Sequence, residues 1–442
     1  MMKILYSSLL LGMVVVFVSC GSGHNQEQLD SYFTDAPMLY NHKLTDVIVA
    51  DIFTPPVASR IYAYSNIAGY EAIRFQDPSL HSLAGQLNGL ESLPMPEDGK
   101  SYYYPLASVV AFTEVAQHLV FDLERVQKLQ ETMLEEVNKI GIDKDTYRNS
   151  VDFGKAIGNE ILTWARQDGY NRRTALPRYS VTDNPGRWRP TPPGYMEAIE
   201  PHWNTMRTFV LDSAGQFDPG LPTEFDEKED SKFYNEAKEV YTTVLELNPE
   251  QLEIAKFWDC NPNISVTQGH VMYFKQKISP GGHWMHITTQ AMEDLDAGLA
   301  TKQGILAQVS VALADAFISC WDQKYKSNLT RPETYINAYI DPDWNPVLQT
   351  PAFPEHTSGH SVASGAAATV LTGLVSANYA FTDSTEVPYG LPRRKYNSFM
   401  QAAEEAAISR LYGGIHYRPA IEKGLTQGKA VGQYILDHIK IQ

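Results

Sequence analysis

The chain has 442 residues, 43% of them hydrophobic and 20% charged, with a formal net charge of -16. This composition is globular, and the length allows a large core; it excludes a disordered or fibrous chain. The acidity argues against nucleic acid as a partner and against docking on an anionic membrane surface.

Residues 1–19 have the pattern of an export signal. Lys3 supplies the charge, and Leu9 to Val18 is an apolar stretch too short to span a bilayer. It ends in Ser19-Cys20, followed by Gly-Ser-Gly. A cysteine after a small residue at that place resembles a lipobox. Cleavage before Cys20, with lipid on its thiol, would give a bacterial envelope lipoprotein, periplasmic or on the cell surface. An ordinary secretory signal is the alternative. Polar residues 20–35 read as a flexible tether, and residues 36–442 as one all-α domain.

Helical periodicity then runs along the chain. Ile61, Tyr64, Ala68 and Ala72 share a face. Residues 105–140 predict two helices broken near Phe121-Asp122, with Asp122 as a cap, and residues 144–168 another. Residues 169–224 are rich in Pro, Gly and aromatics; a loop of that length points to function. Further helices are predicted at about 226–246, 249–260, 264–276, 284–297 and 303–325. No apolar run after residue 19 reads as long enough to cross a bilayer. Residues 394–412 and about 419–439 predict two final helices, linked tightly through Gly413-Gly414. The expected architecture is all-α, built from packed helical bundles.

Cys260 and Cys320 sit in apolar surroundings, FWDCN and FISCW. They either pair in an oxidising compartment or are two buried thiols. Neither has metal-ligand spacing. His283 and His286, three apart at a helix start, lack a nearby carboxylate pair and read as satisfied histidines.

Three segments carry chemistry together. Phe353-Pro-Glu-His-Thr-Ser-Gly-His360-Ser361 precedes the small-residue run Val362 to Val370. Pro354 delays the helix, so Thr357 or Ser358 caps it. Its first turn offers free N–H groups at the positive end of the dipole, and Gly359 lets a ligand come close. His360 stands beside that anion site, with His356 four residues earlier. Upstream, Lys324 lies seven residues before Arg331-Pro332; downstream, Arg410 lies six residues before His416. A multiply charged oxyanion leaves water only for several fixed cations and donors, and Lys324, Arg331 and Arg410 supply three.

The ordered trio resembles the signature of the type 2 phosphatidic acid phosphatase superfamily, K-x6-RP, P-S-G-H and S-R-x5-H-x3-D. That superfamily includes acid and lipid phosphatases and the vanadium-dependent haloperoxidases. The chain looks most like the soluble haloperoxidase branch. Ala58-Ser-Arg-Ile-Tyr-Ala-Tyr64, Ala68-Gly-Tyr-Glu-Ala72, Gly186-Arg-Trp-Arg-Pro-Thr-Pro-Pro193 and Gly282-His-Trp284 resemble other segments of that branch. The resemblance implies a helical fold of that type, with its signature motifs in residues 303–440. It also implies vanadate as cofactor. Lys324, Arg331, Ser358, the Gly359 N–H and Arg410 would hold its oxygens, His416 would ligate the metal, and His360 would be the acid–base group. The reaction implied is peroxide-driven oxidation of halide to hypohalous acid. Phe353, seven before His360, stands where chloride-oxidising members tend to have phenylalanine.

The alternative on the same site is a phosphatase without vanadate, with His416 attacking phosphorus and His360 protonating the leaving oxygen. A third reading, a lipoprotein that only binds an oxyanion, leaves both histidines without a purpose. The chain departs from the signature twice. Thr357 replaces a proline, and Ala420 stands where the final aspartate should orient His416. Glu422 or a backbone carbonyl is expected to take that aspartate's place. A carbonyl would leave the imidazole less basic, which favours ligation of vanadate over attack on phosphorus.

Overall fold

The computed structural model describes residues 22–442. The export signal and Cys20 therefore lie outside the described residues. The architecture is all-α, as expected. The helices are α1 (Ser22–Phe33), α2 (Ala36–Ala50), α3 (Pro55–Ile73), α4 (Tyr104–Leu119), α5 (Leu123–Ile140), α6 (Lys144–Ala165), the single-turn α7 (Tyr170–Arg173), α8 (Lys232–Leu245) and α9 (Pro249–Phe257). After a hairpin of β1 (Ile264–Gln268) and β2 (Val271–Lys275) come α10 (Pro280–Asp294), α11 (Leu299–Ser327), α12 (Pro332–Tyr339) and α13 (Gly359–Leu374). A short antiparallel pair, β3 (Phe381–Asp383) and β4 (Arg394–Tyr396), precedes α14 (Phe399–Tyr412) and α15 (Arg418–His438).

Two bundles share one central helix. α3, α4 and α6 pack together on one side, and α13, α14 and α15 on the other; α11 contacts both groups. By length and composition α11 can cross a membrane, contrary to the sequence reading, but its apolar stretch is wholly buried inside the protein. A helix set between two bundles is buried on nearly every face, and the polar residues it carries there, such as Asp315 and Lys324, must find partners inside.

Several predicted elements differ. The tether expected for residues 20–35 is largely α1, and Leu29 and Phe33 bury themselves in the core. Two apolar residues four apart on a polar helix are enough to dock it. Residues 264–276 are a hairpin, not a helix, turning at Gly269 with φ +62°. Its β-branched and aromatic residues favour extended backbone. The break at Asp122 is as predicted: its carboxylate accepts from the Arg125 N–H at 3.2 Å.

The long loop is irregular but tied down. Buried Asp315 of α11 accepts the N–H groups of Phe209, Val210 and Leu211 at 2.7, 2.8 and 3.1 Å. The Gly186–Pro193 stretch pairs with the chain just after α11. Trp188 N–H donates to the Asn328 carbonyl at 2.9 Å, and Thr330 N–H to the Gly186 carbonyl at 3.0 Å. Lys324 and Arg331 flank that seam, so the loop fixes the segment that carries them.

α13 and α15 approach backbone to backbone. A Cβ on Gly428 would lie 2.1 Å from the Val362 carbonyl oxygen, and one on Gly432 2.6 Å from that of Ala366. No side chain fits there without moving a helix. The contact sets the start of α13 against the start of α15, where Ser358 N–H donates to the Ala420 carbonyl at 3.0 Å.

Candidate active site

Of the two caps expected for α13, Thr357 and Ser358, it is Ser358 that serves: its Oγ accepts from the Ser361 N–H at 3.3 Å. Its hydroxyl proton remains available to a ligand, because a hydroxyl accepts and donates at once. Gly359 is the first helical residue, so its N–H has no acceptor within the helix. A methyl group there would fill the space 3.7 Å from the Trp321 ring and 4.0 Å from Lys324 Cε. Gly359, His360, Ile415, His416, Phe353, Trp321 and Cys260 line a small, partly open pocket.

The three cations are buried around it. Lys324 Nζ donates to the carbonyls of Pro354, Glu355 and Thr357, which uses all three of its protons to clamp the loop before α13. Burial pushes its pKa down to about 7. Arg331 donates from Nε to the Phe353 carbonyl at 2.9 Å and from Nη1 to the Ile415 carbonyl at 2.8 Å; its buried Nη2 has no partner. Burial pushes Arg331 down to about 10. Arg410, on the last turn of α14, donates to Ser409 Oγ and to the Ala255 carbonyl, and burial lowers its pKa as well. Burying a cation costs several kcal/mol unless an anion compensates it. No carboxylate forms an ion pair with any of these three among the described residues.

His416 has a definite tautomer. An arginine N–H can only donate, and Arg331 Nη1 lies 3.1 Å from His416 Nε2. Nε2 therefore carries the lone pair, and Nδ1–H donates to Glu355 Oε1 at 2.8 Å. Glu355 Oε1 also accepts the Tyr417 N–H at 2.9 Å. The acceptor expected for this nitrogen was Glu422 or a carbonyl. It is neither: Glu422 is mostly exposed and lies 3.9 Å from Arg418. Ala420 packs in the core, and its only polar contribution here is the carbonyl that receives Ser358 N–H. Burial pushes Glu355 up to about 7, against the pull of Arg331 and Lys324. Burial first, then the charges of Arg331, Lys324 and Arg410, holds His416 well below the usual histidine value. Its imidazole is neutral at physiological pH.

His360 is also held well below the usual value, by burial and then by Arg410 and His283. The nearby Trp258 backbone pulls the other way, and the buried Nε2 of His360 has no partner. Nε2 is thus an unpaired nitrogen on a residue that lines the pocket. His356 does not line the pocket: its Nε2 reaches the Gly220 carbonyl at 3.3 Å. Phe353 does, packed on Trp321 with ring centroids 5.0 Å apart. Cys260 and Cys320 are separate buried thiols.

The structure thus brings the six charged and imidazole-bearing or capping residues of the trio to one place. Lys324, Arg331, His360 and Arg410 all act electrostatically on His416. The sequence reading missed Glu355 and Trp321. Glu355 had a visible signal, as the one carboxylate inside the stretch that holds Ser358 and His360. The roomier, half-open cleft of the long loop, about 390 Å³ and lined by Arg173, Arg178, Tyr195 and Glu197 among others, includes none of the trio residues.

Known proteins resemble this chain in sequence and fold. Residues 304–442 match the family model described as the VCPO second helical-bundle domain. A bacterial vanadium-dependent iodoperoxidase of known crystal structure is 46% identical, with a TM-score of 0.87 over 93% of this chain and 97% of that one. Holo and apo bacterial vanadium-dependent chloroperoxidases, 15% and 14% identical, share the fold with TM-scores of 0.66 and 0.65, over 88% and 87% of this chain and 94% and 93% of theirs. No curated protein sequence matches the chain. A relative this similar over nearly its whole length, together with the family model over the C-terminal segment that carries the three motifs, places the chain in the vanadium-dependent haloperoxidase family.

Proposed function

We propose that the chain uses bound vanadate and hydrogen peroxide to oxidise halide, with iodide as the halide it turns over best. The observation that carries this is three buried basic side chains gathered about a neutral histidine at the pocket wall, in a chain 46% identical to an iodoperoxidase. Iodide is also the most easily oxidised of the common halides. Phe353, which by resemblance suggests chloride, lines the same pocket as an apolar wall.

The residues present fit a vanadate-like oxyanion. Arg331 Nη2 and His360 Nε2 are buried without partners, and the cations lack carboxylate ion pairs. His416 Nε2 would ligate the metal. The Arg331 and Arg410 guanidinium groups, the Ser358 hydroxyl and the Gly359 N–H would hold oxygens; Lys324 adds charge while fixing the loop. When bound, vanadate supplies the Lewis acid that activates peroxide toward halide. The protein's own part is preorganised charge and one proton acceptor. Neutral His360 Nε2 takes a proton from peroxide as it enters, and Trp321 and Phe353 keep bulk water from the site.

Orientation of His416 by a carboxylate removes the earlier argument that this histidine is too weakly basic to attack phosphorus. The preference for halide oxidation rests on family membership instead. The test is one pair of assays on purified, vanadate-loaded protein. Peroxide-dependent triiodide formation should require vanadate, and p-nitrophenyl phosphate hydrolysis by the vanadate-free chain should be slower by orders of magnitude. Vanadate-independent hydrolysis with no iodide oxidation would overturn the proposal.

We also propose that the chain is an envelope lipoprotein held through Cys20. Its support is the short apolar stretch ending in Ser19-Cys20. Expressed in a bacterial host, the wild type should be in the membrane fraction and incorporate labelled palmitate. Cys20→Ala should lose the label. An unlabelled, soluble wild type would rule the anchor out.

A further inference from the structure

Behind the pocket lies a second cluster that the oxyanion chemistry does not use. Cys260 follows α9, His283 is in the first turn of α10, Asp383 ends β3, and Glu386 leads into the turn after it. All four are essentially fully buried. His283 Nε2 is 2.7 Å from Asp383 Oδ2, and its ring stacks on Trp258 at 4.5 Å. That leaves Nδ1 facing two further groups, Cys260 Sγ at 3.2 Å and Glu386 Oε1 at 3.4 Å. Sγ and Oε1 are themselves 3.8 Å apart. The second carboxylate oxygen, Glu386 Oε2, is buried and has no partner.

A hydrogen-bonded network accounts for part of this: Nδ1–H can donate to Cys260 Sγ and the thiol S–H weakly to Glu386 Oε1, but buried Glu386 Oε2 is left with nothing. No lysine or arginine bonds either carboxylate among the described residues. A metal ion accounts for the triangle. Tetrahedral bonds of about 2.0–2.3 Å to N, O and S put those atoms roughly 3.3–3.6 Å apart, close to the three separations found. The Nε2–H to carboxylate contact is the usual partner of a metal-bound imidazole. Sulfur and nitrogen donors exclude magnesium and calcium and suit zinc.

We propose that Cys260 Sγ, His283 Nδ1 and Glu386 Oε1 bind one zinc ion, with Asp383 orienting the histidine. Three protein ligands leave a fourth position for water. The ion ties the exit of α9, the start of α10 and the end of β3 into one wall of the pocket, since Cys260 lines both sites. It also fixes His283 under Trp258, whose backbone lies close to His360. The site is thus a brace that positions the acid–base histidine from behind. This inference stands apart from the halide reading, because its readout is metal content.

The test is elemental analysis of the full chain, expressed with zinc, loaded with vanadate and desalted without chelator. One zinc per chain is expected. Cys260→Ala and Glu386→Ala should each lose it, while Cys320→Ala keeps it. Asp383→Asn, which spares the ligands, should weaken zinc about 10–100-fold in competition with a chromogenic chelator. Cobalt substituted into the wild type should show thiolate-to-cobalt charge-transfer absorption, which reports Cys260 even if a variant fails to fold. Wild type without zinc and without that absorption, or zinc retained equally in folded Cys260→Ala, would overturn the site and leave a hydrogen-bonded cluster.

Discussion

Replacing His360 by alanine is expected to lower turnover of iodide oxidation by about 10²–10⁴-fold, the usual worth of a positioned proton acceptor. Vanadate content should stay near that of the wild type. His360 Nε2 is buried, unpaired and neutral, so it contributes no charge to binding an oxyanion. The groups that hold charge are Arg331, Arg410 and Lys324, all buried and all untouched by the substitution. The measurement is initial rate of triiodide formation alongside vanadium content of the same preparation. A variant that keeps turnover within a few-fold would remove His360 from the mechanism. A variant that loses vanadium as well would make it a binding residue.

The second large effect is expected at Glu355. Glu355→Gln should weaken vanadate binding about 10–100-fold, as loss of an orienting carboxylate behind a ligating histidine typically does. The amide oxygen can still accept one bond, so His416 and the Tyr417 N–H need not both be orphaned. What is lost is the negative charge that Glu355 carries once ionised, above about pH 7, and that raises the electron density of His416 Nε2. Among the described residues no other carboxylate bonds His416, since Ala420 has none to offer and Glu422 lies with Arg418. Vanadate titration of the vanadate-free protein, followed by recovered activity, gives the affinity. Unchanged affinity in a folded Glu355→Gln variant would mean that orientation by any acceptor suffices. Ala420→Asp, by contrast, should give no gain in activity. Position 420 is buried, and Glu355 already occupies the nitrogen that an aspartate would meet.

Much of this site was legible because its parts are local in the chain. Ser358 and Gly359 sit at the start of α13 because Pro354 and a run of small residues leave the helix nowhere else to begin. Arg410 and His416 flank the link between α14 and α15 because Gly413-Gly414 ends one helix and Pro419 starts the next. Those rules concern a few neighbouring residues, so sequence carries them. The hairpin at Ile264–Lys275 was misread because a short apolar stretch fits a strand or a helix equally well by periodicity.

Sequence alone determined the helical class, the three motif segments and the identity of the cations and imidazoles on them. Each follows from local spacing, capping chemistry and the charge an oxyanion requires. Tertiary structure decided which partner each of these groups has. Glu355 meets a histidine 61 residues later because Gly428 and Gly432 let α15 close on α13, and no local spacing encodes that approach. Likewise Cys260, His283 and Glu386 span 126 residues and converge only where α10 and the end of β3 fold against the exit of α9. A side chain's type is written in the chain, but a buried pair forms by long-range packing, which sets distances that sequence separation does not.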